Sequence, residues 1–189
     1  MRIVAGRLKG SKLYLPKDKN TRPLKDLVRE SIFNLLIHSK KISFQFEKSN
    51  ILDLFSGSGS FGLECLSRQA KKVYFVEKEN NIIEILKKNI KKLKLDNKAK
   101  IFTSDVCTLI KKKNIFESQF QLIFCDPPFK NKNIEELIKS VFDGNLLHKN
   151  GIIVLHRDKN TDEKFPDYFK LIDERTYGIS KIIFGKFLS

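Results

Sequence analysis

Two stretches of the chain hold residues whose types and spacing suit chemistry. The first is DLFSGSGSFG, Asp53 to Gly62, in which Gly57, Gly59 and Gly62 have the G-x-G-x-x-G spacing of a nucleotide-binding turn. The second is FCDPPF, Phe124 to Phe129. A glycine turn at the head of a helix offers unopposed backbone N–H groups and so attracts anions. Here Asp53 stands only four residues before Gly57, and a carboxylate is a poor neighbour for a pyrophosphate. It suits a ligand that carries positive charge. S-adenosylmethionine is such a ligand, with a sulfonium, an ammonium and no phosphate. The glycines would let its methionine and ribose portions come close to the backbone.

In the second stretch, Pro127 and Pro128 stiffen the turn and remove two N–H donors. The carbonyls of Asp126 and Pro127, with the Asp126 carboxylate, can then aim at one exocyclic amino group. The lone pair of such an amine is delocalised into the base. Two acceptors on its hydrogens draw the nitrogen toward tetrahedral geometry and expose that pair. Phe129 adds a face on which the base can stack, worth roughly 1–3 kcal/mol. Two further carboxylates belong to the candidate site. Glu77 ends an apolar run and can accept from both ribose hydroxyls, as it could in a dinucleotide enzyme. Asp105, in TSDV, can accept from an adenine amino group or cap the helix that begins near Val106.

The elements that must position these groups alternate along the chain. Strands are expected at 50–55, 71–77, 99–105, 120–126 and 151–157, with helical patterns at 59–70, through Ile82, Leu86, Ile90 and Leu93, and at 133–142. Two β-rich pieces, 168–178 and 180–187, close the chain with no helix between them. This order predicts an α/β domain over 50–189, with an open, mostly parallel sheet and a C-terminal antiparallel hairpin. Ligands of such sheets bind beyond the carboxyl ends of the strands, where Asp53, Glu77, Asp105 and Asp126 all fall. Residues 1–40 read as a separate extension. RIVAGRLKGSKLYLP forms a hairpin turning at Gly10-Ser11. TRPLKDLVRESIFNLLIH opens a helix at Pro23, with Leu27, Ile32, Leu35 and Leu36 on its apolar face. Residues 40–49 read as a polar connection.

The formal charge is +15, and residues 1–30 carry nine Lys/Arg against three Asp/Glu. Four of the seven arginines lie there too, which compositional drift toward lysine would not produce. The extension therefore suits a polyanion, with Arg2, Arg7, Lys9, Lys12, Arg22, Lys25 and Arg29 as candidate contacts. The run Lys87, Lys88, Lys91, Lys92 and Lys94 reads instead as a solvated helix face. No apolar run approaches a membrane span, and MRIVAGRLKG lacks the apolar middle of a signal peptide. Cys65, Cys107 and Cys125 are scattered without a C-x-x-C pair, so neither zinc nor a disulfide framework is indicated. A cytoplasmic monomer without metal is expected, since one core accounts for the apolar positions.

DLFSGSGSFGLE and DPPF resemble the class I S-adenosylmethionine-dependent methyltransferases that modify exocyclic amines of nucleobases, which have a Rossmann-like sheet. MRIVAGRLKG.KL (1–13), TRPLKDLVRESIFNLL (21–36), LECLSRQAKKVYFVEKE (63–79) and RTYGISKIIF (175–184) narrow this. They resemble the bacterial RsmD family, which methylates guanine N2 in 16S ribosomal RNA. The resemblance implies that the loop from Asp53 to Gly59, with Phe55 and Gly57, and Glu77 bind cofactor. It places Asp105 and Val106 beside the adenine, and Asp126, Pro127, Pro128 and Phe129 around the target guanine. Thr21, Arg22 and Arg29 would approach RNA at the mouth of the site. The substrate would be 16S RNA, naked or in an assembling small subunit. The chain departs from the family at VLHRDK: an acidic residue is expected where His156 stands, and His156 itself reads as structural. An adenine-N6 methyltransferase uses the same Asp-Pro-Pro-aromatic logic and is the nearest alternative. A glutamine methyltransferase would favour Asn at 126. A non-catalytic RNA-binding module and a dinucleotide oxidoreductase stand further off.

Overall fold

A computed structural model describes residues 1–16, 26–42, 44–112, 114–128 and 133–188. The seven strands are β1 (Asn50–Leu54), β2 (Lys72–Glu77), β3 (Ala99–Thr103), β4 (Phe120–Cys125), β5 (Leu147–Asp158), β6 (Phe169–Tyr177) and β7 (Ser180–Phe187). They form one sheet in the order β3-β2-β1-β4-β5-β7-β6. The first five run parallel, and β7 pairs antiparallel with both β5 and β6. The helices are α1 (Asp26–His38), α2 (Ser60–Ser67), α3 (Asn80–Lys92), α4 (Val106–Ile110) and α5 (Ile134–Asp143). This is the expected α/β architecture, a Rossmann-like sheet with an antiparallel C-terminal hairpin. Among the described residues, no helix is long and apolar enough to cross a membrane.

Side chains alternate across the strands with a period of two, and both faces are apolar. Ile51, Val73, Phe75, Leu122, Phe124, Val154 and Ile182 pack with α1, α2 and α3. Leu52, Leu54, Val76, Ile123, Cys125, Leu155 and Ile183 pack with α4 and α5. Burial on both faces explains why these strands are continuous apolar runs. It also fixes a placement that matters for the site: Asp53, two residues after Ile51, lies on the face covered by α2.

The N-terminal segment differs in detail from expectation. Two strands turning at Gly10-Ser11 are replaced by a single bridge, Arg2 to Lys12, with turns from residue 5 to residue 10. The reason is its attachment to α2. Glu64 is fully buried and accepts from the N–H groups of Val4 (2.7 Å) and Ala5 (2.9 Å) and from Arg68 Nε (3.0 Å). Ser67 accepts from Arg7 N through its carbonyl and donates its hydroxyl to the Ala5 carbonyl. Gly6, at φ +80, brings its backbone so close that a Cβ would stand 2.1 Å from the Ser67 carbonyl oxygen.

Helix α1 buries Val28, Ile32, Phe33 and Leu36, while Leu27 is 69% exposed, so the apolar stripe is rotated from the one expected. Phe33 stacks on Phe61 of α2 at 5.0 Å, and Phe61 on Phe124 of β4 at 3.8 Å. Of the expected face, Ile32 and Leu36 are buried as read, and Val28 and Phe33 join them in place of Leu27. The connection at 40–49 is likewise less polar than it reads, since Ile42 and Phe46 are buried. Thr21, Arg22, Pro23 and Lys25 lie outside the described residues. Glu64→Ala would leave two N–H donors and a guanidinium unpaired in the interior, a loss on the scale of about 3–5 kcal/mol for breaking a buried pair. Urea denaturation should show this loss. A change under about 1 kcal/mol, the scale of an exposed ion pair, would contradict the clamp.

Candidate active site

The order β2-β1-β4-β5 reverses between β1 and β4, because the chain leaves β1 toward one edge of the sheet and reaches β4 on the other side. Such a reversal opens a crevice at the carboxyl ends. Leu54 pairs with Cys125 there, and Asp126 N donates to the Leu54 carbonyl at 3.4 Å. Asp53 and Asp126 therefore stand on adjacent strands at the crevice.

Asp53 is 1% exposed, and its Oδ2 accepts from Gly62 N at 3.0 Å in the first turn of α2. Its Oδ1 is buried without a hydrogen-bond partner among the described residues. Burial raises the Asp53 carboxyl from 3.8 to about 8; the Gly62 N–H opposes this shift, and the charges of Asp126 and Glu77 add to it. The three carboxylates thus share one local field, which a positive group would relieve.

The glycines divide their work. At Gly57, with φ +54, an added Cβ would meet nothing within 4 Å, so its face is open. At Gly59, with φ +83, a Cβ would lie 2.3 Å from Leu86 of α3, and at Gly62 2.3 Å from Phe75 of β2. Only Gly57 offers a ligand the close approach expected of the whole loop. Gly59 and Gly62 let α2 and α3 seat on the sheet. Phe55 holds the left-handed region at φ 60 as the chain turns off β1, half-buried against the α4–α5 core.

Glu77 does more than face a ribose. Its Oε2 accepts from Gly57 N at 3.0 Å, and its Oε1 from Lys78 N at 2.8 Å and Glu79 N at 3.0 Å. It braces the glycine loop from the neighbouring strand. A carboxylate has about four acceptor positions, so capacity for a hydroxyl remains. Asp105 caps α4, accepting from Thr108 N at 3.2 Å, with Lys78 Nζ at 4.0 Å. Val106 is buried in the first turn of α4. The open face of Gly57 and the unpartnered Asp53 oxygen fit a cationic nucleoside cofactor of the S-adenosylmethionine type.

Pro127 is buried and Pro128 exposed after β4; Phe129 lies outside the described residues. Asp126 is not alone at its strand end. Its Oδ1 is 2.8 Å from His156 Nδ1, and His156 Nε2 is 2.9 Å from Ser180 Oγ. His156, read as structural, is therefore in direct contact with a candidate site residue. Sheet register could have indicated this. Cys125 pairs with Leu155, so Asp126 and His156 are the next neighbours.

Of the basic residues assigned to RNA, Arg2, Arg7, Lys9 and Lys12 are exposed. Arg29 is not: it is fully buried, its Nη2 donating to the Arg2 carbonyl at 2.6 Å and Asp26 Oδ1 at 3.0 Å. Desolvation by burial is the main cause that lowers its pKa. Arg29 belongs to the stripe of Ile32, Phe33 and Leu36, and it pins the extension rather than touching RNA. Arg7 lies beside Ser67 at the end of α2 away from the glycine loop. Tyr14 comes back toward that loop through Asn89, whose side chain bonds Tyr14 N (2.7 Å), Tyr14 O and the Ser58 carbonyl (both 3.0 Å). The lysine run along α3 and just beyond it forms a solvated face, with Lys87, Lys88, Lys91, Lys92 and Lys94 all exposed.

The family model described as conserved hypothetical protein 95 matches residues 1–186. The chain belongs to this family, that of the RsmD methyltransferases. A Haemophilus influenzae relative named ribosomal RNA small subunit methyltransferase D is 34% identical over 180 residues, covering 95% of this chain and 90% of its own. Its Escherichia coli namesake is 34% identical over 151 residues, covering 80% and 68%. A solved E. coli structure named as a methyltransferase superposes with a TM-score of 0.85 at 27% identity, covering 100% and 98%.

The Asp53 carboxyl supplies a pH test. Folded, it keeps its proton between 3.8 and about 8, a range over which the unfolded chain loses it. Its contribution to stability is therefore fully present below 3.8, and is lost as pH rises to about 8. Asp53→Asn, which keeps the acceptor for Gly62 N and cannot ionise, should gain stability relative to the native chain as pH rises through that window. Parallel stability curves would contradict the assignment.

Proposed function

We propose that the protein transfers a methyl group from S-adenosylmethionine to the exocyclic N2 of a guanine in 16S ribosomal RNA. The observation that carries this reading is the placement of Asp126 and its two prolines beside buried Asp53 at the β1–β4 crevice. The names of the H. influenzae and E. coli relatives support ribosomal RNA as the substrate. When bound, S-adenosylmethionine supplies an electrophilic methyl carried on a sulfonium. Asp53, Phe55, Gly57 and Glu77 would hold it, with Gly59 seating the loop against α3 and Asp105 and Val106 toward its adenine.

The Asp126 carboxylate, with the carbonyls of Asp126 and Pro127, accepts from the amine hydrogens and orients the nitrogen lone pair. These acceptors also stabilise positive charge as it develops on that nitrogen, which releases one proton to solvent once the carbon–nitrogen bond has formed and the methyl–sulfur bond has broken. Positioning is the main source of rate, for which on the order of 7–11 kcal/mol is available from orientation. No covalent intermediate on the protein is needed. The guanine enters unstacked, which costs least in a loop or bulge of RNA. Phe129 offers the stacking face. Residues 1–40 form the RNA-facing extension, with exposed Arg2, Arg7, Lys9 and Lys12 and the further cations Arg22 and Lys25 of the same segment. A soluble, cytoplasmic monomer acting on naked RNA or an assembling subunit fits this role.

Incubation with methyl-labelled S-adenosylmethionine and 16S RNA lacking the modification, followed by digestion to nucleosides, tests the reading. Label in N2-methylguanosine is the expected result. Label in N6-methyladenosine would keep the fold and cofactor and overturn the base. Asp126→Ala should abolish turnover and leave cofactor affinity within a few-fold of native. A loss of affinity as large as the loss of rate would contradict its role at the amine.

A further inference from the structure

Three polar groups line up across β4, β5 and β7 at the carboxyl end of the sheet. Asp126 follows Cys125, which pairs with Leu155; His156 pairs with Ile182, and Ser180 lies two residues earlier on the same face. His156 is 7% exposed and Ser180 6%, whereas the Asp126 side chain keeps 21%. The row runs from the interior to the crevice and ends on the carboxylate. A carboxylate oxygen only accepts, so the 2.8 Å contact requires the hydrogen on His156 Nδ1. The other ring nitrogen, Nε2, is 2.9 Å from Ser180 Oγ, a hydroxyl that can either donate to it or accept from it.

Prolines 127 and 128 fix the backbone after Asp126 but leave its side-chain torsions free. A carboxylate that turns can place neither oxygen reliably within hydrogen-bond reach of an amine. We propose that His156, oriented by Ser180, is a positioning residue: it holds Asp126 Oδ1 so that Oδ2 is presented to the target amine. The inference rests on the proposed amine methylation. The imidazole touches Asp126 and is assigned no contact with substrate or cofactor. Its effect belongs in the rate of the bound complex and not in cofactor affinity.

Two amide substitutions separate positioning from simple filling of space. In His156→Asn the amide nitrogen can occupy the place of Nδ1 and still donate to Asp126. In His156→Gln it falls near Nε2, toward Ser180, and the donor to Asp126 is lost. Turnover would be measured on unmodified 16S RNA at saturating RNA and S-adenosylmethionine, with cofactor affinity and Tm measured on the same proteins. His156→Gln should lower kcat roughly 10- to 100-fold, the scale of a misplaced reacting group, while the KM for S-adenosylmethionine stays within about threefold. His156→Asn should recover most of that loss, and Ser180→Ala should fall between the two. Equal rates for the Asn and Gln proteins, or losses of rate that track Tm or cofactor affinity, would overturn the role of His156. If the native protein turns over and His156→Gln matches it, only this inference fails. If the native protein methylates no RNA, the proposed function fails and takes the inference with it.

Discussion

The reversal of strand order between β1 and β4 is the constraint on which the site depends. Crossovers that diverge from two neighbouring strands cannot cover the space above both, so the carboxyl ends of β1 and β4 stay accessible in an otherwise buried sheet. The chain concentrates the polar groups of the candidate site at that gap. Asp53 comes from β1, Asp126 from the end of β4, and Glu77 reaches across from β2 to the glycine loop. His156 and Ser180 approach from β5 and β7. Each is held by an element whose apolar neighbours anchor it firmly in one of the two cores.

Gathering carboxylates in this way costs free energy, and the protonation of Asp53 shows where the cost falls. An acid buried under α2, near Asp126 and Glu77, holds its proton to about pH 8. One of its oxygens holds the start of α2, and the other has no partner among the described residues. The same field that disfavours a third negative charge favours a cation, which separates this glycine loop from those that cradle phosphate. The loop is correspondingly braced by acceptors. Glu77 takes the Gly57 N–H that a pyrophosphate-binding turn would leave for its ligand.

Much of this was legible in the sequence because it is local. The strand bounds follow from apolar runs, β7 falling at 180–187 as expected, and Asp53, Gly57 and Asp126 are placed by being next to strand ends. What was not legible depends on pairing between distant segments. His156 joins the site only because β5 lies beside β4 in a register that puts Leu155 opposite Cys125. Arg29 reads as one more cation of a basic arm. Yet its spacing of three, four and seven residues to Ile32, Phe33 and Leu36 sets it on the buried stripe, where the Arg2 carbonyl and Asp26 receive it. The hairpin expected over residues 2–16 is instead a bridge with turns, because buried Glu64 takes the N–H groups that a ladder would have used.

The N-terminal extension and the glycine loop are joined by side-chain contacts. Asn89 bonds both Tyr14 and the Ser58 carbonyl, and the Phe33–Phe61–Phe124 series joins α1 to the strand that ends in Asp126. In the proposed role this crevice takes a cationic nucleoside in place of a dinucleotide, on electrostatic grounds. Isothermal titration of S-adenosylmethionine and NAD+ into the same protein, in parallel, tests it most directly. Saturable one-to-one binding of S-adenosylmethionine with no measurable heat from NAD+ is the predicted result. Binding of NAD+ as tight as that of S-adenosylmethionine would contradict the account.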